Sequence, residues 1–133
     1  NHAEPDLLRP APRERFVNNI LHFDLDWAFE RLADEPHSSV DGHRQITLFK
    51  DGPFTVIALL FREEGFLPRR QADGIVTLQL LDGRLDVHTD HTRYALGDRG
   101  LLVIQPSTYF AVHAPAQSRM IMTVHLINGT QEP

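Results

Sequence analysis

The chain has 133 residues, 13 lysines and arginines against 18 aspartates and glutamates (net charge −5), and no cysteine. That length suits one domain with a genuine core, the acidic balance argues against a nucleic-acid surface, and no run approaches the roughly 18 apolar residues of a membrane span. The lack of cysteine excludes disulfides and thiolate metal sites and fits a cytoplasmic protein, although a start at Asn1 is also what a removed signal peptide leaves.

Residues 1–15 carry three prolines and alternating charges, which predicts a flexible arm whose Leu7 and Leu8 could dock on a neighbour. Residues 16–23 read as a short strand or an irregular lead-in. Asp24 has the character of an N-cap, and Leu25, Phe29 and Leu32 recur at helical spacing, with Asp26 and Glu30 on the polar side. Pro36 stops the pattern, so a helix is expected over 25–34, lying across the outside of a sheet. After a polar loop at 37–43, residues 44–50 alternate, with Ile46, Leu48 and Lys50 expected on one face and Gln45, Thr47 and Phe49 on the other.

Asp51-Gly52-Pro53 turns the chain into 54–61, which is apolar almost throughout, and 75–81 has the same character. Strands without polar alternation are covered on both faces. A single helix covers little area, so a homodimer is expected. Further short runs at 84–88, 100–104, 109–113 and 119–127 are separated by turn residues at Asp82-Gly83, 88–91, Gly97-Asp98 and 105–107. Asp-Gly between two apolar runs is a strong hairpin signal. Closely spaced strands with little helix predict an all-β sandwich or small barrel, here a domain over 16–127 followed by a polar tail at 128–133.

The segment ADGIVTLQLLDGRLDV followed by ALGDRGLLVIQPSTYFAVHA resembles the two conserved motifs of the cupin superfamily, particularly the small single-domain bacterial members with an RmlC-like jelly roll. The strand pair in ITLFKDGPFTVIALLFREEGFLP extends the likeness, so it covers roughly residues 46–124, with the two motifs inside 65–114. The resemblance implies a double-stranded β-helix (jelly-roll barrel) and, in the metal-dependent members, three histidines and one glutamate around an ion. Counting back from Gly83 puts the glutamate position at Val76, with the paired histidines at Arg70 and Ala72 or at Arg69 and Gln71. Counting from Gly65 gives Gln71 and Asp73, with Thr77 or Leu78 for the glutamate; the last histidine falls on Phe110 or Ala111. No register restores the set, and valine and phenylalanine offer no lone pair to a metal.

The barrel cavity is therefore expected to be apolar and free of cofactor, lined by Val76, Leu78, Leu80, Phe110, Val112 and Met122, with Met120 nearby. Arg70, or Arg69, would stand at its mouth as a planar clamp for a small acidic ligand such as a carboxylate. That reading makes the chain a metal-independent small-molecule-binding cupin, a sensor or accessory protein. One alternative is a divergent enzyme: a metal-dependent oxygenase or isomerase using non-motif ligands His43, His113 and His125, or a metal-free isomerase pairing a base such as His125 with Tyr94 or Tyr109. Another is a barrel that only dimerises. His88 and His91 share one predicted hairpin turn, while His113 should point away from the cavity if Phe110 points in. A conventional Ser-His-Asp, nucleophilic-cysteine or phosphate-loop motif does not occur.

Overall fold

The computed structural model describes residues 19–35 and 41–127. The arm expected at 1–15, the first three residues of the 16–23 segment, Pro36 and the tail at 128–133 lie outside them. Among the described residues one helix, α1 (Leu25–Ala33), precedes nine strands: β1 (His43–Asp51), β2 (Phe54–Phe61), β3 (Phe66–Arg70), β4 (Gly74–Asp82), β5 (Leu85–Thr89), β6 (Arg93–Leu96), β7 (Leu101–Ile104), β8 (Phe110–His113) and β9 (Ser118–Leu126). They form a five-stranded sheet in the order β1-β2-β9-β4-β7 and a four-stranded sheet in the order β3-β8-β5-β6. All pairings are antiparallel. The fold is thus all-β with one short helix, as expected. The helix does not approach the length and apolarity of a membrane span.

Alternation decides what each sheet buries. Across the large sheet, Leu102, Leu78, Met122 and Ile57 stand in one inward row, and Leu80, Met120 and Leu59 in the next. They meet Leu67, Val87, Phe110 and Val112 from the small sheet in a single buried cluster. The outward residues of β1, β2 and β9 build a second cluster beneath α1, where Ala28, Phe29 and Leu32 cover Leu48 and Ala58. Burying Phe29 and Leu32 contributes about 1.5–3 kcal/mol each, and the helix ends are held as well. The Asp24 carboxylate accepts from the Trp27 N–H at 3.2 Å, and Arg44 Nη1 donates to the Leu32 carbonyl at 2.9 Å. Both contacts suit the helix dipole.

The alternation expected in 44–50 is corrected by a bulge. Between Thr47 and Phe49 the register slips by one residue, so Phe49 pairs with Val56 on the outer face and Lys50 pairs with Thr55 on the inner side. Lys50 Nζ donates to the Thr55 hydroxyl at 3.4 Å. A bulge lets two successive residues oppose one, which is how Leu48 and Phe49 escape strict alternation. Two strands absent from the sequence expectation, β3 and β6, border the small sheet.

The turn at Gly83 ties β4 and β5 to β9. Gly83 has φ +106°, and a Cβ there would sit 2.3 Å from the Ser118 hydroxyl. Ser118 is fully buried. Its oxygen accepts from the Arg84 N–H at 2.9 Å, and its proton lies between the carbonyls of Arg84 (2.9 Å) and Ala116 (2.8 Å). Ser118→Ala leaves a backbone N–H unpaired at this buried turn and should lower the unfolding free energy by about 1–3 kcal/mol in urea denaturation. An unchanged midpoint and slope would show that water takes the serine's place.

Candidate functional site

The residues expected to line a cavity do converge. Val76, Leu78 and Leu80 project from β4, Phe110 and Val112 from β8, and Met122 from β9, and all belong to the barrel's central cluster. Each is between 0 and 5% exposed. Water reaches almost none of their surface, so the structure places the residues expected to line an apolar cavity in the buried core.

Arg69 and Arg70 lie on β3. Arg70 pairs in register with Phe110 at the end of the barrel, yet its side chain is exposed and its Nε donates to the Pro68 carbonyl at 3.0 Å. Arg69 takes a different course. Its Nη2 reaches Asp90 Oδ1 at 3.0 Å and Oδ2 at 3.4 Å, and its guanidinium carbon lies 3.7 Å from the centre of the Tyr109 ring. Tyr109 faces away from the interior that Phe110 fills, as the pleat requires.

The alternative histidine set does not assemble. His43 Nδ1 donates to the Phe66 carbonyl at 2.9 Å beside β3. His113 lies on the outside of the small sheet, with Nε2 2.7 Å from Glu64 and Nδ1 3.9 Å from Asp86. His125 occupies the outer face of the large sheet, edge-on to Phe54 at 6.1 Å. Among the described residues, no three His, Asp or Glu side chains are grouped to hold a metal. The metal of the metal-dependent cupins therefore does not fit the side chains described, since the positions at which the resemblance would place its donors carry Val76, Thr77 or Leu78 and Phe110 or Ala111 in every register considered. A third charged cluster is structural. Arg119 bonds to Asp82 at 2.8 Å through Nε and lies 3.6 Å from Asp26 of the helix. The hydrogen bond to Asp82, above all, holds its guanidinium above the ordinary arginine pKa.

Polar side chains gather instead at one rim of the barrel. The β5–β6 turn, the inner edge of β7 and the loop from Gln105 to Tyr109 enclose a cleft of about 450 Å³. Leu102, Ile104 and the two tyrosines, Tyr94 and Tyr109, give it apolar surface; Asp90, His91, Thr92, Gln105, Ser107 and Thr108 give it polar groups. Local hydrogen bonds set the walls. The Thr89 hydroxyl accepts from the Thr92 N–H (3.1 Å) and donates to the Thr92 carbonyl (3.0 Å), closing the β5–β6 turn. On the other wall Ser107 has φ +65°, and its N–H donates to the Ala72 carbonyl at 2.9 Å. The sequence does not reveal this cleft because its lining comes from two turns and from parts of β6 and β7, of which only β7 was expected. The run TDHTRY at 89–94 crowds hydroxyl, carboxylate and imidazole groups around one hairpin, and that is the signal the sequence offers. A second, smaller cavity of about 230 Å³ lies between the helix end and β1, lined by Gly42, His43, Arg44 and Arg62 among others.

No protein-family model matches the chain, and no curated protein matches it in sequence. Solved structures do. A cupin superfamily protein from Desulfitobacterium hafniense aligns with TM-score 0.63 and 11% identity over 68% of this chain and 83% of that one. Salicylate 1,2-dioxygenase from Pseudoaminobacter salicylatoxidans aligns with TM-score 0.68 and 13% identity over 77% of this chain and 32% of the dioxygenase chain. KdgF from Halomonas sp. aligns with TM-score 0.58 and 14% identity over 69% and 82% of the two chains. Likeness at these identities speaks to architecture and not to chemistry. With its two antiparallel sheets closed around one apolar core, this chain has the cupin fold.

Proposed function

We propose that this chain is a metal-independent small-molecule-binding cupin of the sensor or accessory type, acting in the cytoplasm, and that it takes its ligand at the rim cleft rather than inside the barrel. One contrast carries the reading. The interior positions are hydrocarbon packed against hydrocarbon, whereas the cleft is an open concavity that combines apolar surface with several convergent polar groups. That combination is what small-molecule sites commonly present. Arg70 is not part of the cleft lining, and the reading gives it no role.

A library of small neutral and acidic molecules, followed by amide chemical shifts on the untagged protein, tests this. Shifts should concentrate in residues 89–94 and 102–109 and persist in the presence of EDTA. Shifts centred on Val76, Phe110 and Met122, or shifts abolished by the chelator, would contradict the proposal.

We also propose that a second copy covers the part of the large sheet that α1 leaves bare. There the outward rows run Leu101–Gln79 and Val103–Thr77–Thr123, with the Thr77 and Thr123 hydroxyls bonded to each other. Leu101 is 61% and Val103 53% exposed. These rows carry no charge, so two copies of a chain with net charge −5 meet there with the least repulsion. β7 also ends the sheet, leaving an edge on which a strand from a two-fold-related copy can pair. Light scattering behind size exclusion should give a dimer for the natural chain and a monomer for Leu101→Glu with an unchanged unfolding midpoint. A monomeric natural chain at about 100 μM, weak even for a transient interface, would contradict this.

A further inference from the structure

The charges and hydrogen-bonding groups of the rim cleft also select a class of ligand. Resting on the reading above, we propose that the cleft takes a neutral, polyhydroxylated molecule, a sugar or polyol, and disfavours the acidic ligand expected from the sequence.

Charge balance comes first. Asp90 is the carboxylate of the cleft lining, and both its oxygens are engaged by Arg69. The same guanidinium is stacked on Tyr109, so the pair is held from two sides. An incoming carboxylate could use Arg69 only by displacing Asp90, and it would then face that carboxylate in a chain already at net charge −5. An incoming cation would compete with Arg69 for Asp90. A neutral ligand leaves the pair intact and forgoes neither interaction.

Beside His91, the imidazole of the lining, five further polar groups point the same way. Among the described residues, the side chains of Thr92, Tyr94, Gln105, Ser107 and Thr108 make no hydrogen bond, although Thr89 beside them is fully engaged in its turn. Each of these five groups both donates and accepts. An anion is best met by donors and a cation by acceptors. A ring of alcohol groups, each giving one hydrogen bond and taking others, is matched by hydroxyls and a carboxamide. Between the polar groups, Leu102, Ile104 and the tyrosine rings offer apolar surface to the C–H face of a sugar ring, as aromatic side chains do for other amphipathic partners. The walls are already fixed by the Thr89 turn and the bond from Ser107 to Ala72, which reduces the ordering cost of binding.

The test is a titration of the full chain, followed by amide shifts, with D-glucose, D-galactose, maltose and myo-inositol, and in parallel with D-glucuronate, D-galacturonate and D-glucosamine. At least one neutral compound should shift residues 89–94 and 102–109 saturably and bind about tenfold or more tightly than its charged counterpart, the discrimination expected of a site whose ion pair must open. Gln105→Ala and Tyr94→Ala, both on exposed side chains, should each weaken that binding several-fold with the fold intact by amide spectrum. Asp90→Asn, which releases Arg69, should move the preference toward the uronate. A uronate that binds the natural chain more tightly than the neutral sugar, or an Asp90→Asn variant with an unchanged preference, overturns the inference while leaving a binding cleft in place. Absence of any shift in the cleft with every compound overturns it too. Saturable shifts centred on the barrel interior instead overturn the cleft reading on which it rests.

Discussion

Hydrocarbon packed at the centre of the barrel is the constraint on which the rest of this structure depends. Val76, Leu78, Phe110 and Met122 come from three different strands and meet with almost no surface left to water. Among the described residues no three His, Asp or Glu side chains are grouped to hold a metal, and a shared architecture does not by itself bring a shared chemistry. The salicylate dioxygenase aligns over 77% of this chain at 13% identity, a likeness of architecture alone.

With its centre closed, the molecule carries its polar organisation at the periphery. Asp90 and Arg69 are 21 residues apart in sequence and meet across β8, which lies in the small sheet between β3, where Arg69 sits, and β5, which Asp90 directly follows. The ion pair is exposed on both sides, so its contribution to stability is small. Its consequence is local: it neutralises one end of the rim cleft and holds Tyr109 beneath the guanidinium. The hydroxyls around it are then left to decide which ligands are matched. The large sheet is similarly asymmetric, since α1 covers one half of its outer face through Phe29 and Leu32 and the β7 side remains bare.

The central strands were legible in the sequence because short apolar runs, 54–61, 75–81 and 119–127, are bounded by turn residues, which marks β2, β4 and β9 as strands with covered faces. Asp24 announced the start of the helix, and the Asp82-Gly83 turn fell where the positive φ of Gly83 requires it. Edge strands carry much less of this signal. β3 reads FLPRR with one buried residue, Leu67, and β6 reads RYAL with one, Leu96; with Pro68 and adjacent arginines on the first, no two-residue period survives. The bulge at Leu48 was hidden because bulges arise from pairing with a second strand, not from local composition. The identity of the inward residues could be read, but not that their volumes fill the space between the sheets. The rim cleft was the least accessible of all, since two separate segments, residues 89–94 and 102–109, build it and Arg69 could be matched to Asp90 only after the order of the small sheet was known.

Whether the barrel is filled can be measured without knowing any ligand. Xenon enters dry apolar cavities large enough to hold it, so diffraction from a xenon-pressurised crystal reports directly on the interior. The account predicts no xenon peak among Val76, Leu78, Phe110 and Met122. A well-occupied peak there would establish an internal cavity and contradict it.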